Sequence, residues 1–347
     1  MGYPLIILGA GASFDCLNKT QFTEPDYFRN ELDKYRPPLA NDLFDTKRFS
    51  EIMDGYEPYI SEISSYCLNK LISKKQTLEE ILTDYRYNKI MQNPDIDKQI
   101  IAFRYYLSDL FVKISDNYFR TINNYNTLIQ CIKLTGRKAF IVNFNYDLIF
   151  ERTLFGTFPK NIDDYISGDI KVCKIHGACD WFYGRKINAS QKKSSYDYAL
   201  VGAQNILENE TKKYDINIQK VDLAKNANFV YDGSFSGTMQ IPAIALPLKG
   251  KQSFICPDDQ IKILETTLNI VDRIIIIGWS AGDMYLVDKL RNSLGERNVP
   301  VALVCGKKSK DVIWNNLGSL AKNINMNNEE GFQSFLATNQ CEEFLNA

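Results

Sequence analysis

Four short stretches of the chain hold side chains suited to chemistry. The first is Gly9-Ala10-Gly11-Ala12-Ser13. A tight glycine turn lets backbone N–H groups approach a pyrophosphate, and a following helix adds a favourable dipole. A dinucleotide fingerprint has a third glycine where this chain has Phe14, so a plain strand-to-helix turn is the competing reading. The second stretch is Asn143-Phe144-Asn145-Tyr146-Asp147. Asn145 offers a donor and an acceptor suited to a hydroxyl or a water, and Asp147 a carboxylate to which an amide can donate. An Asx turn explains both residues equally well. The third is Lys174-Ile175-His176-Gly177, with Trp181 nearby; His176 is the one histidine in 347 residues. Neutral imidazole is the natural base near pH 7, and Gly177 lets a ligand come close to the backbone. The fourth is Gly278-Trp279-Ser280 with Asp283 three residues on. It reads as a phosphate-binding turn with a carboxylate for ribose hydroxyls or for a helix cap.

These stretches need elements that bring them together. Six short apolar runs, at residues 5–8, 139–142, 170–175, 243–246, 274–277 and 301–304, are rich in Val and Ile and end in Gly, Asn or Pro. Such runs suit strands buried on both faces of a parallel sheet. The chemistry-bearing residues follow four of them, and in open α/β sheets ligands sit outside the carboxyl ends of the strands. The fold expected is therefore α/β: a Rossmann-like, mostly parallel six-stranded sheet with a helical insertion and a second, polar insertion. Thr77 and Glu80 have capping-box spacing ahead of Ile81, Leu82 and Tyr85. Phe103, Leu107, Leu110, Phe111 and Ile114 make one apolar helix face. Gly136 closes the helical stretch as a C′ residue. Residues 45–135 are thus expected to be the helical insertion. Residues 182–240, polar and poorly periodic, are expected to form a surface insertion or lid, and 311–347 a C-terminal helical segment. The sheet domain then comprises residues 1–44 and 136–310.

Composition excludes several classes. Hydrophobic residues make up 45% and charged residues 24%, an ordinary globular balance. With 41 basic and 42 acidic residues, no basic excess marks a phosphate-backbone footprint, and no sequence-specific nucleic-acid contact is expected. No apolar run is long enough to cross a bilayer, and the opening residues lack the pattern of a secretory signal. The eight cysteines form no CxxC pair, which argues against zinc and fits reduced thiols in the cytoplasm.

In order and placement, GAGAS, NYD, KxHG and GxSxxD, each at a strand end, resemble the motifs of the sirtuin family. The likeness is closer to the sirtuin-like NAD-hydrolysing domains of prokaryotic antiphage defence systems, and it spans roughly residues 5–305 without the insertions. Arg36-Pro37-Pro38-Leu39-Ala40 is similar to the family's proline-containing cofactor loop. The resemblance implies that Gly9, Ala10, Gly11 and Ser13 cradle the pyrophosphate of NAD, the substrate. It implies that Asn145 sits by the nicotinamide ribose and positions water, that Asp147 holds the carboxamide and that His176 is the general base. Gly278, Ser280 and Asp283 would serve the phosphate and adenosine end. The chain departs from sirtuin deacylases in lacking their four-cysteine zinc module and GxPDFR loop. Glycosidic hydrolysis to nicotinamide and ADP-ribose, with no zinc, is therefore expected over protein deacylation. The resemblance also implies NAD depletion in antiphage defence, homo-oligomers, and a partner ATPase of the HerA type or another activating subunit. No GxxxxGK[ST] occurs, so any ATPase activity belongs to another chain. The alternative is a non-catalytic module that senses NAD or ADP-ribose within a larger complex. An oxidoreductase and a pure interaction subunit are further alternatives.

Overall fold

The structure is a computed structural model. It describes residues 2–17, 30, 32–72, 76–88, 93, 95–188, 194–208, 216–218, 229–231, 236–248 and 254–347. Among these the strands are, in chain order, β1 (Tyr3–Leu8), β2 (Ala139–Asn143), β3 (Ile170–Cys173), β4 (Gly177–Asn188), β5 (Ile216–Ile218), β6 (Phe229–Tyr231), β7 (Ser236–Ile244), β8 (Val271–Ile277), β9 (Val301–Val304) and β10 (Ile324–Asn328). The chain forms two compact units. One comprises Met1–Leu39, Asn117–His176 and Gly250–Ala347; the other comprises Ala40–Asp116 and Gly177–Lys249.

The first unit is built on a six-stranded sheet in the order β10-β9-β8-β1-β2-β3. Every pairing in it is parallel. Leu5, Ile6, Ile7 and Leu8 of β1 have no exposed surface, and the runs in β2, β8 and β9 are buried almost as completely. Full burial of each such side chain contributes about 1.5–3 kcal/mol, which is why uninterrupted apolar runs mark strands covered on both faces. The register levels their carboxyl ends: Leu8 lies opposite both Asn143 and Ile277, and Ile277 opposite Val304. From β1 the chain runs outward through β2 to β3, then resumes beside β1 at β8 and runs outward the other way. The strand order therefore reverses between β1 and β8, and ligands of open α/β sheets bind at such a switch point.

The α/β class and the count of six strands agree with the sequence reading, but one strand differs. Residues 243–246 do not join the parallel sheet. Ala243 and Ile244 end β7, which lies antiparallel to β4 in the second unit's four-stranded sheet, β5-β4-β7-β6. A four-residue apolar run carries no information about strand direction, and Gly177 supplies the reason for this pairing. Its φ is +77°, and a Cβ there would lie 1.8 Å from the Ala243 carbonyl oxygen. Backbone, not a ligand, makes the close approach. The sixth strand of the parallel sheet is β10, whose sequence INMNN alternates between half-buried and exposed residues until the buried Asn328. As an edge strand it never needed an apolar run.

Local helix signals are realised. Thr77 N–H donates to Glu80 Oε2 at 2.7 Å and Glu80 N–H to Thr77 Oγ1 at 3.3 Å, a reciprocal capping box ahead of the helix Leu78–Asn88. The apolar face from Phe103 to Ile114 lies on the helix Ile96–Tyr118. The helix Asn124–Leu134 ends with Gly136 at φ +65°. It belongs to the sheet unit and packs with the helices Phe332–Ala337 and Gln340–Asn346. Asp15 joins that C-terminal pair to the first glycine turn: its Oδ2 accepts from the Phe332 amide at 2.8 Å and the Gln333 amide at 3.3 Å. Of residues 182–240, the stretches 189–193, 209–215, 219–228 and 232–235 lie outside the described residues. Among the described residues no helix is long and apolar enough to cross a membrane.

Candidate functional site

The loops after β1, β2, β3 and β8 leave one edge of the parallel sheet. The first and last are in backbone contact. Gly9 N–H donates to the Ile277 carbonyl and Gly11 N–H to the Gly278 carbonyl, both at 3.0 Å. Gly278 has φ +60°, and a Cβ on it would sit 2.3 Å from the Ala12 nitrogen. A Cβ on Gly9 would meet the Trp279 backbone at 2.5 Å and one on Gly11 the Gly278 Cα at 2.8 Å. The glycines thus let two turns interlock at the switch point. The amides of Gly9, Gly11 and Ala12 all donate within the protein. Ala10 is exposed at the start of the helix Ala10–Phe14. Phe14, standing where a third glycine was sought, carries the Arg36 guanidinium 3.4 Å from its ring centroid, and Arg36 Nε–H donates to its carbonyl at 2.8 Å.

Ser13, Asn145 and Asp147 come together in a buried polar cluster. Asn145 Nδ2 donates to Ser13 Oγ at 2.9 Å, with Tyr125 Oη at 3.4 Å, and the Ser13 and Tyr125 hydroxyls are 2.8 Å apart. Asn145 is only 6% exposed. Two Asx contacts shape the loop: Asn143 Oδ1 accepts from the Asn145 amide at 3.0 Å, and Asp147 Oδ1 from the Ile149 amide at 3.1 Å. Burial pushes the Asp147 carboxyl up from its ordinary range, opposed by the Lys174 charge and by the Ile149 hydrogen bond. Burial likewise raises the Tyr125 phenol, which stays protonated.

His176 forms the second cluster. Its Nε2 is 2.8 Å from Asp283 Oδ2, while Asp283 Oδ1 accepts from the Leu286 amide at 2.9 Å and caps the helix Met284–Leu294. The cap reading of Asp283 therefore holds, and the other oxygen of the same carboxylate meets the imidazole. The imidazole meets the Phe144 ring edge-on at 4.8 Å, and Phe144 stacks on Trp279 at 5.0 Å. Phe144 and Asn145 are consecutive, so one loop touches both clusters: its ring lies against His176, and its next amide reaches Ser13 on the glycine turn. With Nε2–H donating to Asp283, Nδ1 becomes the basic nitrogen of the ring. Ser280 is exposed; its carbonyl, not its hydroxyl, accepts from Asn316 Nδ2 at 2.9 Å.

Sequence reasoning gave no role to three members of this arrangement: Tyr125, Glu151 and Lys174. Lys174 stood in the KxHG motif, so a signal existed. Tyr125 gave none, being one tyrosine of 20 on an amphipathic helix. Cys173 and Cys179, which flank His176, are buried cysteines outside any disulfide. Burial holds the Cys173 thiol well above its usual range, against any nucleophilic role.

No protein-family model matches the chain, and no curated protein matches it. Solved structures similar to it include a triply substituted Sir2 homologue in complex with 2′-O-acetyl ADP ribose, at 12% identity and a TM-score of 0.45, covering 99% of this chain and 90% of that one. A structure described as the structural basis of sirtuin substrate affinity is 13% identical, with a TM-score of 0.44 and coverage of 98% and 93%. A Sir2 homologue–NAD complex is 11% identical, with a TM-score of 0.42 and coverage of 99% and 87%.

Proposed function

We propose that the chain is an NAD glycohydrolase that cleaves the bond between nicotinamide and ribose. One observation carries the reading: the loop after β2 turns Asn145 toward the glycine turn and Phe144 toward a His176–Asp283 pair, all at the switch-point edge. Nicotinamide leaves a pyridinium as a neutral molecule, so the reaction asks for a placed water and stabilisation of an oxocarbenium-like carbon. The Asp283 carboxylate fixes the imidazole tautomer so that His176 can take a proton from a ribose hydroxyl or from water. Asn145, next in sequence to the Phe144 that meets the imidazole, supplies an amide for the water, and Asp147 a polar group for the carboxamide. Gly9, Ala10, Gly11 and Ser13, with Gly278 and Ser280, line the turns at which the pyrophosphate would lie. The motif resemblance to sirtuin-like defence domains supports hydrolysis over deacylation and a role in antiphage defence through NAD depletion, with an ATPase of the HerA type or another subunit as activator.

Purified protein incubated with NAD, alone and with such a partner, should yield nicotinamide and ADP-ribose by mass spectrometry. A positioned base typically contributes about 10²–10⁴-fold, so His176→Ala should cut nicotinamide release by that factor while the fold survives. Unchanged release would remove His176 from the chemistry. A second reading has one observation in its favour: the Asn145 amide is already engaged by Ser13 and Tyr125, as suits a rigid module that senses NAD or ADP-ribose. Calorimetric binding with no product over hours would decide for it.

A further inference from the structure

Beneath the loop that carries Asn145 and Asp147 lies a buried charge for which the proposed reaction has no direct use. The Lys174 side chain has no exposed surface. Its Nζ donates to the Asn145 carbonyl at 2.7 Å, the Asp147 carbonyl at 2.8 Å and Glu151 Oε1 at 3.2 Å. An ammonium has three protons, and three acceptors engage them. Glu151 is equally buried, and its Oε1 also accepts from Asn143 Nδ2 at 2.9 Å. Its Oε2 has no hydrogen-bond partner among the described residues. Lys174 is itself held in place, because its amide donates to the buried Gln260 Oε1 at 3.1 Å.

A sealed ion pair is weak support for stability, since apolar replacements of similar volume often do as well. Its geometry here does something an apolar pair could not. Two of the three ammonium bonds go to backbone carbonyls on either side of Tyr146, which fixes the peptide planes that follow Asn145 and Asp147. Those planes set the directions in which the two side chains leave the loop. We infer that Lys174 is a positioning residue, a buried pin that holds the 143–149 loop so that the Asn145 amide faces Ser13 and the Asp147 carboxyl faces the Ile149 amide. Its consequence for turnover rests on the glycohydrolase reading; its consequence for the loop does not.

Three variants test the pin: Lys174→Met, Glu151→Gln, and the double variant Lys174→Met/Glu151→Leu, which leaves no orphan charge. Each is followed by thermal unfolding, by amide exchange across residues 144–149 and by kcat and KM for nicotinamide release. Lys174→Met should lower the unfolding temperature, and the double variant should regain it. Exchange across 144–149 should nevertheless stay faster than wild type in the double variant. Its kcat should stay down by about 10²-fold, the cost of a misplacement near 1 Å, with KM little changed. Glu151→Gln, which keeps both carbonyl bonds, should retain wild-type exchange in the loop, and this test against wild type stands if the methionine variants fail to fold. Wild-type exchange in the double variant, or exchange across 144–149 faster than wild type in Glu151→Gln, would reduce Lys174 to a charge partner and overturn the inference. If wild-type protein releases no nicotinamide, the glycohydrolase reading fails, and the exchange comparison still decides the pin.

Discussion

His176 and Asn145 act on one water or one hydroxyl in the proposed chemistry, so their losses should not sum. Asn145→Ala alone should cost about 3 kcal/mol of transition-state stabilisation, the scale of one lost donor. The double variant with His176→Ala should be little worse than the poorer single variant; strictly multiplicative losses in kcat would mean that the two act in separate steps. Asp147 gives a pH prediction that needs no substrate. Its carboxyl is raised by burial, so the folded state holds the proton to higher pH than the unfolded chain, whose aspartates ionise at about 3.9. Below that range both states are protonated and Asp147→Asn changes little. As pH rises through it, the unfolded chain ionises first and the wild-type fold loses stability. The stability gained by Asp147→Asn should therefore grow as pH rises above about 4 and level off once the folded carboxyl itself ionises, read as the difference in unfolding temperature between variant and wild type. A difference that shrinks with rising pH would mean that the carboxyl is depressed instead.

At the scale of elements, the interlock of the turns after β1 and β8 should be the most brittle feature of the edge. Gly278→Ala puts a Cβ into the backbone of Gly11 and Ala12 and strains a left-handed residue. Together these should cost about 2–4 kcal/mol. Gly156 shares the positive φ, at +72° in the left-handed region, but a Cβ on it meets nothing within 4 Å. Gly156→Ala should cost only the backbone part, about 1–2 kcal/mol. Denaturant melts of the two variants separate packing from strain; equal losses would show that the close approach of the turns contributes nothing. Helix capping works at the same scale. Asp15→Ala removes the acceptor for the Phe332 and Gln333 amides and should cost about 1 kcal/mol.

For the whole molecule, ligand binding is the test that spans both functional readings. NAD at about a hundred times its dissociation constant should add about 2.7 kcal/mol to the unit that binds it. The expected signs are a higher unfolding temperature and slower amide exchange in β1 and β8. A transition unmoved at saturating NAD would dismiss glycohydrolase and sensor together. The near-equal numbers of acidic and basic residues leave no net charge of the chain to gather an anionic dinucleotide.

The amino-acid order was enough for the α/β class, for five strands of the parallel sheet, and for the capping box at Thr77 and the helix stop at Gly136. Each of these is written in local terms: continuous apolar runs, a 3.6-residue period, a residue type fixed by φ or by an orphan amide. The same order showed that four chemistry-bearing turns follow strands. It could not show that residues 243–246 pair antiparallel with β4, or that the polar run INMNN closes the parallel sheet. Strand direction and edge position depend on partners far along the chain, not on the run itself. Nor could it join Asn145 to Ser13, His176 to Asp283, or Lys174 to two carbonyls of another loop, contacts across separations of 132, 107 and 27–29 residues. Such contacts exist only once parallel register brings the carboxyl ends of β1, β2, β3 and β8 to one edge.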